Sequence, residues 1–130
     1  MKTILLVEDD DDTAEVLKQA IGLETDYHVL CATTGEQALE IVRYVKPHLF
    51  ILDYLLPHST GIALYDHLHA LEGLEAVPAI ILTAYYVERL QEDIQSRHLL
   101  SLAKPFDLDM LHETIERALM SSPASCTQQE

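Results

Sequence analysis

His48-Leu49-Phe50-Ile51-Leu52-Asp53 is an apolar run closed by a single carboxylate. Its apolar residues do not alternate with polar ones, as a strand with one wet face would require. A short continuous run of this kind suits a strand buried on both faces, as in a parallel sheet covered by helices. The same pattern recurs along the chain. Ile4 to Val7 is a short apolar run followed at once by Glu8-Asp9-Asp10-Asp11-Asp12. Tyr27 to Ala32 is rich in β-forming residues. Gly73 and Pro78 bracket the turn before Ala79 to Leu82, which leads into Thr83-Ala84. Leu99 to Ala103 is the last run and is interrupted by Lys104-Pro105.

Amphipathic segments separate these runs. Ala14, Leu17 and Ile21 recur at helical spacing within residues 13–23. Thr34-Gly35-Glu36-Gln37 reads as a capping box, with Thr34 as N-cap and Gln37 three residues on. The helix it opens carries Ala38, Leu39, Val42 and Val45, and Pro47 is expected to end it. A loop with Pro57 and Gly61 leads to a helix marked by Leu64, Leu68 and Leu71. Val87, Leu90 and Ile94 mark another, and Asp107 can cap a last one carrying Leu108, Leu111, Ile115 and Leu119. Strands and helices alternate strictly, five of each. The expected class is α/β, a doubly wound parallel sheet with helices on both faces. The natural candidate for strand order is 2-1-3-4-5, carried over from known sheets of this size rather than deduced.

The chain has 130 residues, enough for one domain with a hydrophobic core. Eight basic against 22 acidic residues give a formal net charge of −14. Such a surface is repelled by phosphate backbones and by anionic membranes, so neither nucleic acid nor membrane is an expected partner. Cys31 in an apolar run and Cys126 in a polar stretch make no disulfide framework, and a reducing cytoplasm is the expected location. The N-terminal apolar run is too short for a signal-peptide core, and no stretch reaches the length of a membrane span. Residues 1–120 read as the domain. Residues 121–130 are polar and without periodicity, and read as a tail or the start of a linker.

In a doubly wound sheet, ligands bind outside the carboxyl ends of the strands. Glu8, Asp9 and their acidic neighbours follow the first strand, and Asp53 follows the third. Thr83 and Ala84 follow the fourth, and Lys104 the fifth. Carboxylates crowded at one edge repel each other, and a hard divalent cation resolves the conflict; Mg2+ suits a few carboxylates with waters and a phosphate. Lys104 adds a compact positive charge and Thr83 a hydroxyl. The set makes a pocket for a phosphoryl group beside a carboxylate nucleophile. Each element alone is ordinary. An acid run is usually a solvated helix start, and that reading is kept for Asp11 and Asp12. Asp53 alone could be a cap, and Lys104-Pro105 alone a simple break. What is specific is one polar group at the end of each of several apolar strands.

Ile4-Leu5-Leu6-Val7-Glu8-Asp9-Asp10, Ile51-Leu52-Asp53-Tyr54-Leu55-Leu56-Pro57 followed by Gly61, Pro78 to Ala84, and Lys104-Pro105-Phe106 together resemble the receiver domain of two-component response regulators. The resemblance runs from about Lys2 to Met120. It implies a flavodoxin-like fold and a phosphorylation-activated signalling switch rather than an enzyme with a substrate. Asp53 would accept a phosphoryl group from a histidine kinase or phosphotransfer protein. Asp9 would hold Mg2+ directly, Glu8 through water, with Asp53 and the backbone carbonyl of Leu55 as further ligands. Thr83 and Lys104 would bind the phosphoryl oxygens, small Ala84 would leave room, and Pro105 would follow a cis peptide. A downstream effector domain or protein would read the change, and a homodimer through a helix face is compatible with the sequence.

Two departures qualify the resemblance. Family members usually carry an aromatic three residues before the lysine, where this chain has Ser101. The usual Gly-Ala turn before that strand is replaced by Arg97-His98-Leu99. Either Tyr85 or Tyr86 is then the expected reporter of phosphorylation, or the coupling to the output surface is weak. Leu55 and Tyr85, both large and two residues beyond Asp53 and Thr83, imply slow self-hydrolysis. Two rival readings remain: a Mg2+-dependent phosphohydrolase, disfavoured because Leu55 stands where a second acid is needed, and a constitutive docking or dimerisation module, which Ser101 allows. The histidines read as surface residues. His58 lies in the loop near Asp53, and His67 and His69 are two apart on a helix and form a poor metal pair. Tyr44 and Tyr65 are assigned to packing.

Overall fold

The computed structural model describes residues 2–24, 26–84 and 88–120. Its main elements are β1 (Thr3–Val7), α1 (Asp11–Glu24), β2 (His28–Ala32), α2 (Gly35–Ile41), β3 (Leu49–Asp53), α3 (Gly61–His69), β4 (Ala79–Thr83), α4 (Glu88–Ser96), β5 (Leu100–Ala103) and α5 (Leu108–Met120). The five strands are all parallel, in the order β2-β1-β3-β4-β5. This is the expected doubly wound sheet.

The strands are apolar throughout because both faces are covered. Ile4, Leu6, Leu49, Ile51, Ile80, Leu82 and Leu102 belong to one buried cluster with Leu17, Ile21, Leu111 and Ile115 of α1 and α5. Leu5, Val7, Phe50, Leu52 and Ile81 belong to the other, with Leu64, Leu68, Leu90 and Ile94 of α3 and α4. Alternate residues of one strand thus feed opposite cores, and every residue of β3 and β4 is buried.

Helix starts follow the sequence closely. The Asp10 carboxylate accepts from the backbone N–H of Asp12 (3.2 Å) and the hydroxyl of Thr13 (2.7 Å). Asp11 and Asp12 sit exposed in the first turn of α1, where acids complement the helix dipole. Thr34 caps α2 by accepting from Gln37 N–H at 3.1 Å. The reciprocal arm reaches one residue further back than a capping box: Gln37 Oε1 accepts from Thr33 N–H at 2.8 Å. Asp107 caps α5 through Met110 N–H at 2.8 Å.

Helix ends differ more. α2 stops at Ile41, well before Pro47, and Val42 is its C-cap. Arg43 and Tyr44 donate to the carbonyls three residues back, so the chain tightens into a turn there. Val42 to Val45 contains two β-branched residues and an aromatic but no C-terminal glycine, so propensity is weak where the apolar period continues. Tyr44 does not pack in the core: it is 76 % exposed, with the Arg43 guanidinium 5.8 Å above its ring. Tyr65 is buried, as expected.

At the end of α4, Leu99 N–H donates to Ile94 O and His98 N–H to Gln95 O, and His98 has φ 57°. This is a Schellman closure with histidine in the left-handed position glycine usually takes. Arg97 beside it grips Asp66 of α3 with two bonds of 2.7 and 2.8 Å. Val87, Tyr85, Tyr86 and residues 121–130, on which other expectations fell, lie outside the described residues.

Candidate functional site

The pairing that builds the sheet continues one residue past three strand ends. Glu8 N–H donates to Ala32 O (3.0 Å), Tyr54 N–H to Leu82 O (2.8 Å) and Lys104 N–H to Thr83 O (2.8 Å). These bonds hold Glu8, Asp53, Thr83 and Lys104 on one carboxyl edge. Lys104 follows β5 and is joined to Pro105 by a cis peptide, as the resemblance implied. Its Nζ lies 3.0 Å from Glu8 Oε1 and 3.2 Å from Asp53 Oδ1. Glu8, Asp53 and Thr83 are buried, while Asp9 is exposed beside them.

One carboxylate oxygen from each of Glu8, Asp9 and Asp53 falls within 4.8 Å of the others. Burial pushes the Glu8 carboxyl up from its ordinary value, and contact with Asp53 adds to this; Lys104 opposes it without cancelling it. For Lys104, burial alone would lower the ammonium, but the bond to Glu8 and the charges of Asp53 and Glu8 outweigh it and hold it above its ordinary value. Three carboxylates against one ammonium leave two negative charges, which a divalent cation with oxygen ligands balances. The residues present therefore fit Mg2+.

A pocket of about 210 Å3 opens beside Asp53, lined also by Tyr54, Leu55, Thr83, Ala84 and Lys104. All the residues expected from strand ends 3 to 5 meet there. Leu55 is 49 % exposed at its rim. His58, by contrast, lines a separate groove of about 540 Å3 between α2 and α3, together with Thr34, Glu36 and His67. His69 stacks on Tyr65 with ring centroids 5.3 Å apart, so the two helix histidines do serve different faces. Ser101 is exposed on β5, two residues from equally exposed Ala103.

Two features of the site were missed in the sequence. Leu55–Leu56 and Ser59–Thr60 pair antiparallel as a two-residue-per-strand hairpin closed by Pro57-His58. Gly61, the first residue of α3, donates to Tyr54 O at 2.8 Å, and a Cβ placed on it would lie 2.5 Å from Asp53 O. The Pro57-to-Gly61 spacing was the available signal, but it gave no pairing.

Fold and site together define a doubly wound α/β domain with an acidic, lysine-bridged pocket at the carboxyl edge of its sheet. The sequence profile of the response regulator receiver domain matches residues 4–116, and the chain belongs to this family, which acts in two-component signalling. The chain is similar to the transcriptional regulatory protein ZraR of Escherichia coli K12. The two are 38 % identical over 116 residues, 88 % of this chain and 26 % of that protein. It thus spans about a quarter of that relative's length. Sporulation initiation phosphotransferase F of Bacillus subtilis is 30 % identical over 120 residues, 92 % of this chain and 95 % of that one. A putative response regulator from Chloroflexus aurantiacus superposes with a TM-score of 0.83 at 29 % identity, covering 91 % of this chain and 97 % of its own. The receiver domain of the sensor histidine kinase PA1611 from Pseudomonas aeruginosa, solved with a magnesium ion coordinated in its active-site cleft, gives 0.81 at 27 % identity. That match covers 92 % of this chain and 98 % of the other. Among the described residues, no helix is long and apolar enough to cross a membrane.

Proposed function

We propose that this chain is a cytoplasmic switch phosphorylated on Asp53 by a histidine kinase or phosphotransfer protein. The observation that carries the reading is Lys104 Nζ, placed at 3.0 and 3.2 Å from two buried carboxylates at the ends of different strands. An ammonium there serves a negative group that arrives, because it is already held at the nucleophile before the phosphoryl group comes. Asp53 Oδ attacks phosphorus as the P–N bond of the donor breaks and the imidazole leaves. Lys104 and the Thr83 hydroxyl bind the phosphoryl oxygens, and Ala84 keeps the space beside them open. Glu8, Asp9, Asp53 and the Leu55 carbonyl would hold Mg2+, which when bound would supply positive charge to balance the phosphoryl oxygens.

The added charge of about −1.5 to −2 draws Thr83 and Lys104 inward and shifts the balance between two surfaces of α4, β5 and α5. An effector domain or protein, or a second copy of the chain, reads that surface. Residues 1–120 form the switch unit, and 121–130 a tail or linker. Leu55 at the pocket rim offers a water no hydrogen bond, so the phosphoryl group is held for many minutes or longer.

Intact mass after incubation with acetyl phosphate tests the reading. A gain of one phosphoryl group that needs both Mg2+ and Asp53, and is lost in Asp53→Asn, is the expected result. No gain under any condition would favour the second reading, a constitutive docking module, to which the exposed Ser101 lends support.

A further inference from the structure

His58 has no partner chemistry in the phosphoacceptor pocket, yet its backbone is unusual. Its φ is 63°, in the left-handed region that L-residues rarely adopt. It occupies the second central position of the turn between Leu56 and Ser59. Pro57 before it has φ fixed near −65°, which excludes the mirror-image turns that usually close two-residue hairpins. Proline followed by a positive φ is the type II pattern, whose second position calls for glycine or asparagine. Histidine tolerates the region better than most residues, and β-branched residues hardly at all.

This turn sets the register of the hairpin. Gly61 N–H donates to Tyr54 O, so Tyr54 and Gly61 face each other joined by one bond, the Tyr54 N–H being committed to Leu82 O. Leu55 and Thr60 come next along the ladder. Opposed residues of an antiparallel pair alternate between bonded and unbonded, so Leu55 falls at the unbonded position. Its carbonyl is turned away from the partner strand and is not consumed by the hairpin. A slip of one residue would set Leu55 opposite Ser59 or Gly61 and turn its carbonyl towards the partner strand.

We propose that His58 is a positioning residue for the metal site: its left-handed turn fixes the hairpin register that leaves the Leu55 carbonyl available as a neutral oxygen ligand. The proposal rests on the reading of Glu8, Asp9, Asp53 and Leu55 as metal ligands. The effect of His58 on the cation is exerted through the backbone, so its imidazole is dispensable and its φ is not.

The test counts Mn2+ binding, since Mn2+ takes the same oxygen ligands as Mg2+ and its free form is measured by electron paramagnetic resonance. His58→Val should weaken Mn2+ binding by about tenfold, as loss of support around a ligand commonly does. His58→Gly and His58→Asn should bind like the wild type. His98 supplies the matched control, because it carries the same strain, φ 57°, at the far end of α4. His98→Val should lower the Tm much as His58→Val does and leave Mn2+ affinity unchanged. Equal affinity in His58→Val and wild type would overturn the proposal, and so would equal weakening by the two valine variants. Loss of affinity in His58→Gly would assign the effect to the imidazole and overturn it as well. Failure of the wild type itself to bind Mn2+ would instead remove the reading of the ligand set, and this inference with it.

Discussion

Gly61 carries no functional group, but the position of Asp53 depends on it. A methyl group there would sit 2.5 Å from the Asp53 carbonyl oxygen and 3.4 Å from Leu52 Cβ. The first contact is with backbone, which cannot rotate away, so α3 and the end of β3 would have to separate. Gly61→Ala is expected to cost about 1–3 kcal/mol, the range for overpacking a tight contact. It should also slow phosphorylation of Asp53 by acetyl phosphate, because the carboxylate moves with its backbone. Urea unfolding and the initial phosphorylation rate check the two parts, and unchanged values for both would sink the argument. Glu8, Asp53, Thr83 and Lys104 were legible in the sequence because each closes an apolar run, and strand ends share one edge in a parallel sheet. Gly61 was visible only as spacing. Its reason is a close approach between two elements, and a linear sequence does not contain that distance. Asp10 shows the reverse: it belongs to the acidic run, but its carboxylate is spent on Asp12 and Thr13 as a helix cap.

At the scale of elements, strands were easier to read than helix ends. A strand buried on both faces advertises itself by an unbroken apolar run, as β3 and β4 do. A helix end depends on which carbonyls find partners, and α2 closes early through bonds from Arg43 and Tyr44 that no apolar period records. The end of α4 is a sharper case. Its Schellman bonds and the burial of Ile94 and Leu99 are those of a standard closure, but the left-handed residue is His98. The sequence shows the missing glycine and not the conformation kept without it. His98→Gly should therefore stabilise the chain by up to about 1 kcal/mol, since glycine adopts this φ freely while losing more entropy on folding. The His98 side chain is exposed, so little packing is lost. A higher urea midpoint with an unchanged slope is the expected outcome. A lower midpoint would mean that the imidazole contributes something beyond its backbone.

The whole molecule carries a net charge of −14, and its most confined acids lie where a cation is expected. Two groups pull its pH dependence in opposite directions. Asp66 is held below its ordinary 3.8 first by its bonds to Arg97. Its contribution is present above 3.8 and is lost as pH falls through its lower folded value. Glu8 is raised above its ordinary 4.5, chiefly by burial. The folded state then binds the proton more tightly than the unfolded chain. That contribution is full below 4.5 and is lost as pH rises through the raised value. Without divalent cation, the Tm should therefore fall as pH is raised above 4.5 and Glu8 ionises beside Asp53. Saturating Mg2+ should flatten or reverse that slope, because the cation binds the ionised carboxylates and stabilises whichever state holds it. Screening of the general repulsion would act too, so NaCl at matched ionic strength is the control. Glu8→Gln separates the causes: it should show a shallower slope without Mg2+, a higher Tm near neutral pH, and a smaller response to Mg2+. If Glu8→Gln kept the wild-type slope, the acid-side stability would belong to the distributed charge, and the buried carboxylate would not be its source.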